Sequence, residues 1–187
     1  MKKLSQETWI EAGFQALDRN GYQQLSIEKT ARRLNVTRGS FYHHFDSRSS
    51  FVDALLNRWK AEYTDSVINF AEAGANAHVR LERYLEIASG MQPGREVAIR
   101  AWAARESRVR EVLQEVDAIR SRFAYELGRD LLLQRDEGEI QRFARLACLA
   151  FIGFQQTGPH GSQHFIQLVR DILDLAGASA CKDGRDN

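Results

Sequence analysis

Apolar residues recur at intervals of three and four along nearly all of this 187-residue chain, and only two prolines, Pro93 and Pro159, interrupt them. That spacing lays one apolar stripe along a helix of 3.6 residues per turn, whereas a half-buried strand needs strict alternation, which never persists here. The expected class is all-α. An apolar share of 43% with ten Phe permits a sizeable core.

Capping residues divide the pattern into elements. Ser5 opens a first helix with Ile10, Phe14 and Leu17 as its buried stripe, and Gly21 ends it. Ser26 caps a second helix, "IEKTARRLN", striped by Ile27, Ala31 and Leu34. Asn35 stops it, because Asn best tolerates a left-handed backbone after Gly, and Val36 follows as a plug into the core. Thr37 caps a very short third helix, "RGSFYHHF". Asp46 or Ser47 caps a long fourth that runs from near Arg48 to about Ala73 and carries Phe51, Leu55, Trp59 and Tyr63 four apart. Further helices are expected at 77–90, 94–105, 107–133, 137–157 and 161–177, about nine in total, before a flexible tail at 179–187.

Several classes are disfavoured. The apolar run "LACLAFIGF" falls short of the roughly 20 residues a membrane crossing needs, and "MKKLSQETWIEAG" turns polar too early for a secretory signal, so a cytoplasmic protein with no membrane partner is expected. Cys148 and Cys181 make no disulfide framework; Cys148 reads as a buried structural thiol and Cys181 as an exposed one. His160 and His164 have the spacing of a metal pair but no third ligand beside them, so neither a metal nor a cofactor is expected. Glu106, Glu111, Glu115 and Asp117 alternate with Arg and read as a solvated helix face rather than an acid/base site, which argues against an enzyme.

The net charge of +1 is unevenly placed: residues 1–48 hold eight Lys/Arg against five acids, a balance of +3, which leaves −2 for the remainder. An anionic partner is favoured at the N-terminal end. There the second helix, the turn "NVT" and the short third helix fit a helix-turn-helix, whose second member enters the major groove of DNA. Gly39 costs about 1 kcal/mol against Ala inside a helix, a cost offset if protein backbone must approach bases or phosphates there. Phe41 and Phe45, four apart, should point inward, and Tyr42 and His43 outward.

The stretch "IEKTARRLNVTRGSFYHHFDSRSSFVDALL" resembles the helix-turn-helix signature of the TetR family of transcriptional regulators, and the likeness covers residues 5 to 56. It departs in detail: Asn35, Leu34 and Thr37 stand for the usual Gly, Ala and Ser. Arg48 replaces the usual Lys, exchanging a point charge for a planar fork. "VAIRAWAARESRVREVLQEVDAIRSRF" also resembles a pattern in some members. The resemblance implies a DNA-binding domain at 1–48, a ligand-binding and dimerisation domain at 49–178 built as a helical bundle, and a homodimer on a double-stranded palindromic operator. It also implies a small-molecule effector that changes the separation of the two recognition helices, most simply in a repressor. An effector-independent DNA-binding protein and an all-helical enzyme are the alternatives.

By the same resemblance Thr37, Arg38 and Ser40 reach base edges, Arg38 being suited to a guanine, and Gly39 permits the approach. Ser26, Lys29, Tyr42, His43 or His44, and Arg48 hold phosphates. Capping alone also accounts for Ser26 and Thr37, and Lys29, Arg32 and Arg33 also fit a solvated face. Effector contacts fall to Trp59, Tyr63, Tyr84, Met91, Trp102, Phe123, Phe151 and Gln155, most of which are individually better explained as core. Dimer contacts fall to Phe143, Ala147, Phe154, Phe165, Leu168, Val169 and Ile172 on the last two helices, which could instead pack within the monomer.

Overall fold

The computed structural model describes residues 4–91, 93–157 and 161–177. The tail at 179–187, His160 and Cys181 lie outside the described residues. The elements are α1 (Gln6–Asn20), a 3-10 turn (Tyr22–Gln24), α2 (Ile27–Arg33), α3 (Arg38–Phe41), α4 (Arg48–Lys60), a π-helical turn (Ala61–Asp65) and α5 (Ser66–Glu72). They continue with α6 (Ala77–Ala88), α7 (Pro93–Ala103), α8 (Ser107–Leu131), α9 (Glu137–Gln156) and α10 (Ser162–Leu175). With α4, the π turn and α5 taken as the single rod that the spacing predicts, this makes nine helices and no strand among the described residues.

The caps explain the boundaries. Ser5 Oγ accepts from Thr8 N at 3.3 Å, and Gly21 leaves α1 at φ +72°, where a Cβ would be strained. Ser47, not Asp46, caps α4, in a reciprocal box with Ser50. Asp136 and Glu139 form the same box at the start of α9. The π turn at 61–65 has no counterpart in the spacing pattern, which runs through Tyr63 unbroken.

The described residues gather into two compact units. The first takes residues 4–64 and 93–116, the second residues 65–91, 117–157 and 161–177. In the first, Trp9, Phe14, Leu17, Phe41, Leu55, Trp59, Ile99 and Trp102 are almost wholly buried in one core. Arg95 of α7 ties this unit together: its guanidinium lies 3.9 Å from the Phe14 ring centre, 2.9 Å from Asp18 and 3.7 Å from Glu62. In the second, Val67, Leu85, Phe123, Leu127 and Phe165 centre a separate core. Arg80 of α6 pairs with Asp130 of α8 at 2.9 Å inside that unit.

Two expectations change on contact with the structure. Glu106 and Glu115 are not merely solvated: Glu106 accepts from Trp102 Nε1 at 2.8 Å and lies 3.4 Å from Arg48, and Glu115 pairs with Lys60 of α4. They face α4 and α7 because α8 starts against those helices, which its own charge spacing does not reveal. Cys148 is only half-buried.

Candidate nucleic-acid interface

A four-residue helix has no stability of its own, because nucleating a turn fixes several dihedrals for a single hydrogen bond. Packing supplies what α3 lacks. Phe41 is fully buried, with ring centres 5.3 Å from Trp9, 5.2 Å from Phe45 and 5.6 Å from Phe51. Trp9 and Phe51 meet Phe41 edge-on, the arrangement that ring quadrupoles favour. This aromatic cluster pins one face of the short helix and leaves the other to solvent.

The turn into α3 is as its residue types require. Asn35 sits at φ +55°, the one non-glycine with positive φ among the described residues. Val36 follows, partly buried against the first core, and its N–H donates to Ala31 O at 3.0 Å. Thr37 takes the N-cap position with an extended backbone, but its hydroxyl makes no capping hydrogen bond. The expected cap holds in position and fails in contact, which leaves the hydroxyl on the outer face. Ser26, by contrast, caps α2 by accepting from Lys29 N at 3.2 Å.

The outer face presents Thr37, Arg38, Gly39, Tyr42 and His43 exposed, with Ser40 half-buried. His43 is exposed and His44 half-buried, and the His44 backbone carbonyl accepts from Gln6 Nε2 at 2.6 Å. A Cβ on Gly39 would meet only Thr37 Oγ1, at an ordinary 3.6 Å. Nothing inside the protein demands glycine there. Arg38 donates to the Tyr42 hydroxyl at 3.2 Å and lies 3.3 Å from Glu28 of α2, and both contacts push its guanidinium pKa further up. Lys29 donates to Gln24, and Arg48 sits at the first position of α4. Arg33, expected to be solvated, donates to Ala12 O at 3.3 Å and so joins α2 to α1.

The other singled-out residues divide between the units. Trp59 and Trp102 lie buried in the first core, with Tyr63 packed against it. Phe123 is buried in the second core with Tyr84, Met91 and Phe151 packed against it, and Gln155 is buried on α9, its Oε1 without a hydrogen-bond partner. Phe165 is buried in the second core, with Phe143, Phe154 and Val169 packed against it. The apolar side chains that α9 turns to solvent are Leu146 and Leu149, about 60% exposed, and a Cβ on Gly153 would meet open space. Sequence reasoning passed these over; their spacing of three and four was the available signal.

A short polar helix carried on a tight turn and locked by aromatics from behind defines a helix-turn-helix protein. Residues 10–55 match the family model described as "Bacterial regulatory proteins, tetR family". Over 55 residues the chain is 38% identical to the tetracycline repressor protein class G of Vibrio anguillarum, covering 29% of this chain and 26% of that one. Over 56 residues it is 30% identical to the transcriptional regulator AcuR of Cereibacter sphaeroides, covering 30% and 26%. The matches thus span about a quarter of the length of these curated relatives. The whole fold is similar to a protein of Saccharomonospora viridis described as a transcriptional regulator in complex with choline, with a TM-score of 0.76 at 17% identity, covering 90% of this chain and 95% of that one. Residues 10–55 thus carry the likeness to the TetR family of regulatory proteins. Among the described residues, no helix is long and apolar enough to cross a membrane.

Proposed function

We propose that this protein is a one-component transcriptional repressor that binds a palindromic DNA operator as a homodimer and is released by a small-molecule effector. The observation that carries the reading is Gly39, a residue explained neither by left-handed backbone nor by packing within the protein, on the exposed face of a helix anchored by Phe41. A side chain is absent where another molecule's surface must come close. Thr37, Arg38 and Ser40 read base edges, while Lys29, Tyr42, His43, Arg48 and the first amides of α2 hold phosphates, with Ser26 shaping that end of the helix.

Dimerisation uses α9 and α10. The exposed Leu146 and Leu149 supply apolar surface that is unfavourable in water, and Gly153 lets a partner helix approach. Two-fold pairing suits a palindromic site. Effector binding falls to the second unit, where the unpartnered Gln155 Oε1, on the same helix as Phe151 and Phe154, offers an acceptor to a ligand donor. The choline in the similar structure is consistent with small-molecule binding by this fold and does not identify the ligand here. An effector acts only through differential affinity for the DNA-competent and incompetent arrangements.

The test is selection of duplexes from a random pool, with sedimentation of the complex. Enrichment of an inverted repeat bound by two protomers is expected. Recovery of unrelated sequences would remove the operator-reading function, and a one-protomer complex would remove the dimer.

A further inference from the structure

We propose that Glu28 is a positioning residue for Arg38, and hence a determinant of base specificity, on the outer face of the helix-turn-helix; this rests on the DNA-reading function proposed above. Arg38 Nη1 lies 3.3 Å from Glu28 Oε1, and Arg38 Nη2 donates to the Tyr42 hydroxyl at 3.2 Å. The two contacts hold the guanidinium through different nitrogens. One comes from the preceding helix and the other from the turn after α3. A guanidinium has five N–H donors, and these contacts engage two, leaving three for a base edge.

The grip matters because Arg38 is otherwise loose. Its side chain is 61% exposed, and an arginine in water samples many rotamers whose entropy must be lost on forming a bidentate contact. Pre-orienting the fork before DNA arrives reduces that loss for the one geometry the base pair accepts. Glu28, Arg32, Asn35, Thr37 and Arg38 line a common concave surface, so the carboxylate stands at the edge of the reading head. A negative charge there opposes phosphate. Simple removal of charge would therefore tighten binding to all sequences alike, whereas loss of positioning lowers discrimination at one place.

The test uses the full chain and the operator recovered by selection, with binding measured for every single-base-pair change in wild type, Glu28→Ala, Arg38→Ala and the double variant. Glu28→Ala should lower discrimination roughly two- to fivefold at one base pair of each half-site, as befits an exposed pair, and leave other positions unchanged. Glu28→Gln, which keeps an acceptor oxygen, should restore part of the loss. In the Arg38→Ala background Glu28→Ala should change no preference. Wild-type discrimination in Glu28→Ala, or a further loss of discrimination in the double variant, overturns the assignment while the DNA-reading function stands. If Arg38→Ala leaves every preference intact, base reading by Arg38 fails and the role of Glu28 falls with it.

Discussion

The Glu106 carboxylate lies 3.4 Å from the Arg48 guanidinium and accepts the Trp102 indole N–H at 2.8 Å. Residues 58 positions apart thereby join the start of α4 to the segment leading into α8. The two contacts differ in weight. Arg48 is half exposed, so its ion pair is screened, whereas Trp102 is almost fully buried and its N–H has no water to turn to.

Glu106→Ala should therefore destabilise the protein by about 1–3 kcal/mol, chiefly through the orphaned indole donor. Arg48→Ala should cost under roughly 1 kcal/mol of stability yet weaken binding to all DNA sequences. Urea unfolding of both variants checks this. Equal destabilisation would show that the ion pair, not the indole bond, carries the weight.

Asn35 holds φ +55° between α2 and α3. Glycine accepts that conformation freely and a β-branched residue resists it. Asn35→Val should lose about 1–2 kcal/mol, while Asn35→Gly should stay within roughly 1 kcal/mol of wild type. Thermal melts of the pair give the ordering, and a Val variant as stable as the Gly variant would contradict the strain assigned to the turn.

Gly39→Ala separates folding from binding. Its added methyl meets only Thr37 Oγ1 at 3.6 Å, and helix propensity favours Ala by up to about 1 kcal/mol. Stability should hold or rise. Operator affinity should fall by roughly tenfold, the equivalent of about 1.4 kcal/mol. Undiminished affinity in a binding titration would mean that no surface approaches Gly39.

Burial raises the pKa of Tyr63 above its ordinary 10, a shift that the nearby Arg95 partly offsets and the Asp18, Glu62 and Glu96 carboxylates reinforce. Between the unfolded and folded values the native state holds the proton more tightly than the unfolded chain. Stability is accordingly unaffected below about pH 10 and declines as pH rises beyond it. Tyr63→Phe should flatten that decline. Absorbance at alkaline pH should show a late-ionising phase that is absent from Tyr63→Phe.

Much of the helix-turn-helix was legible because its signals are local. Ser5, Ser26 and Asn35 act on backbone within five residues, so their types announce their work, and the spacing of Phe41 and Phe45 marks the buried face though not the Trp9 and Phe51 rings it meets. Thr37 was half legible: its type suits an N-cap, but whether its hydroxyl turns to the helix amides or to solvent depends on how α3 is seated. The effector residues were least legible. A large apolar side chain looks the same in sequence whether it fills a core or lines a cavity, and Trp59, Trp102 and Phe123 are buried in cores.

By itself the sequence determined an all-helical chain, the placement of its caps, and a left-handed turn before a short polar helix, since each follows from residue chemistry over one or two turns. Only the tertiary structure decided that Glu106 serves both Arg48 and Trp102, that Glu28 flanks Arg38, and that Leu146 and Leu149 are the leucines α9 leaves in water. Those outcomes depend on which distant segments meet, and helical periodicity is blind to that: it says that a stripe will be buried, not against what.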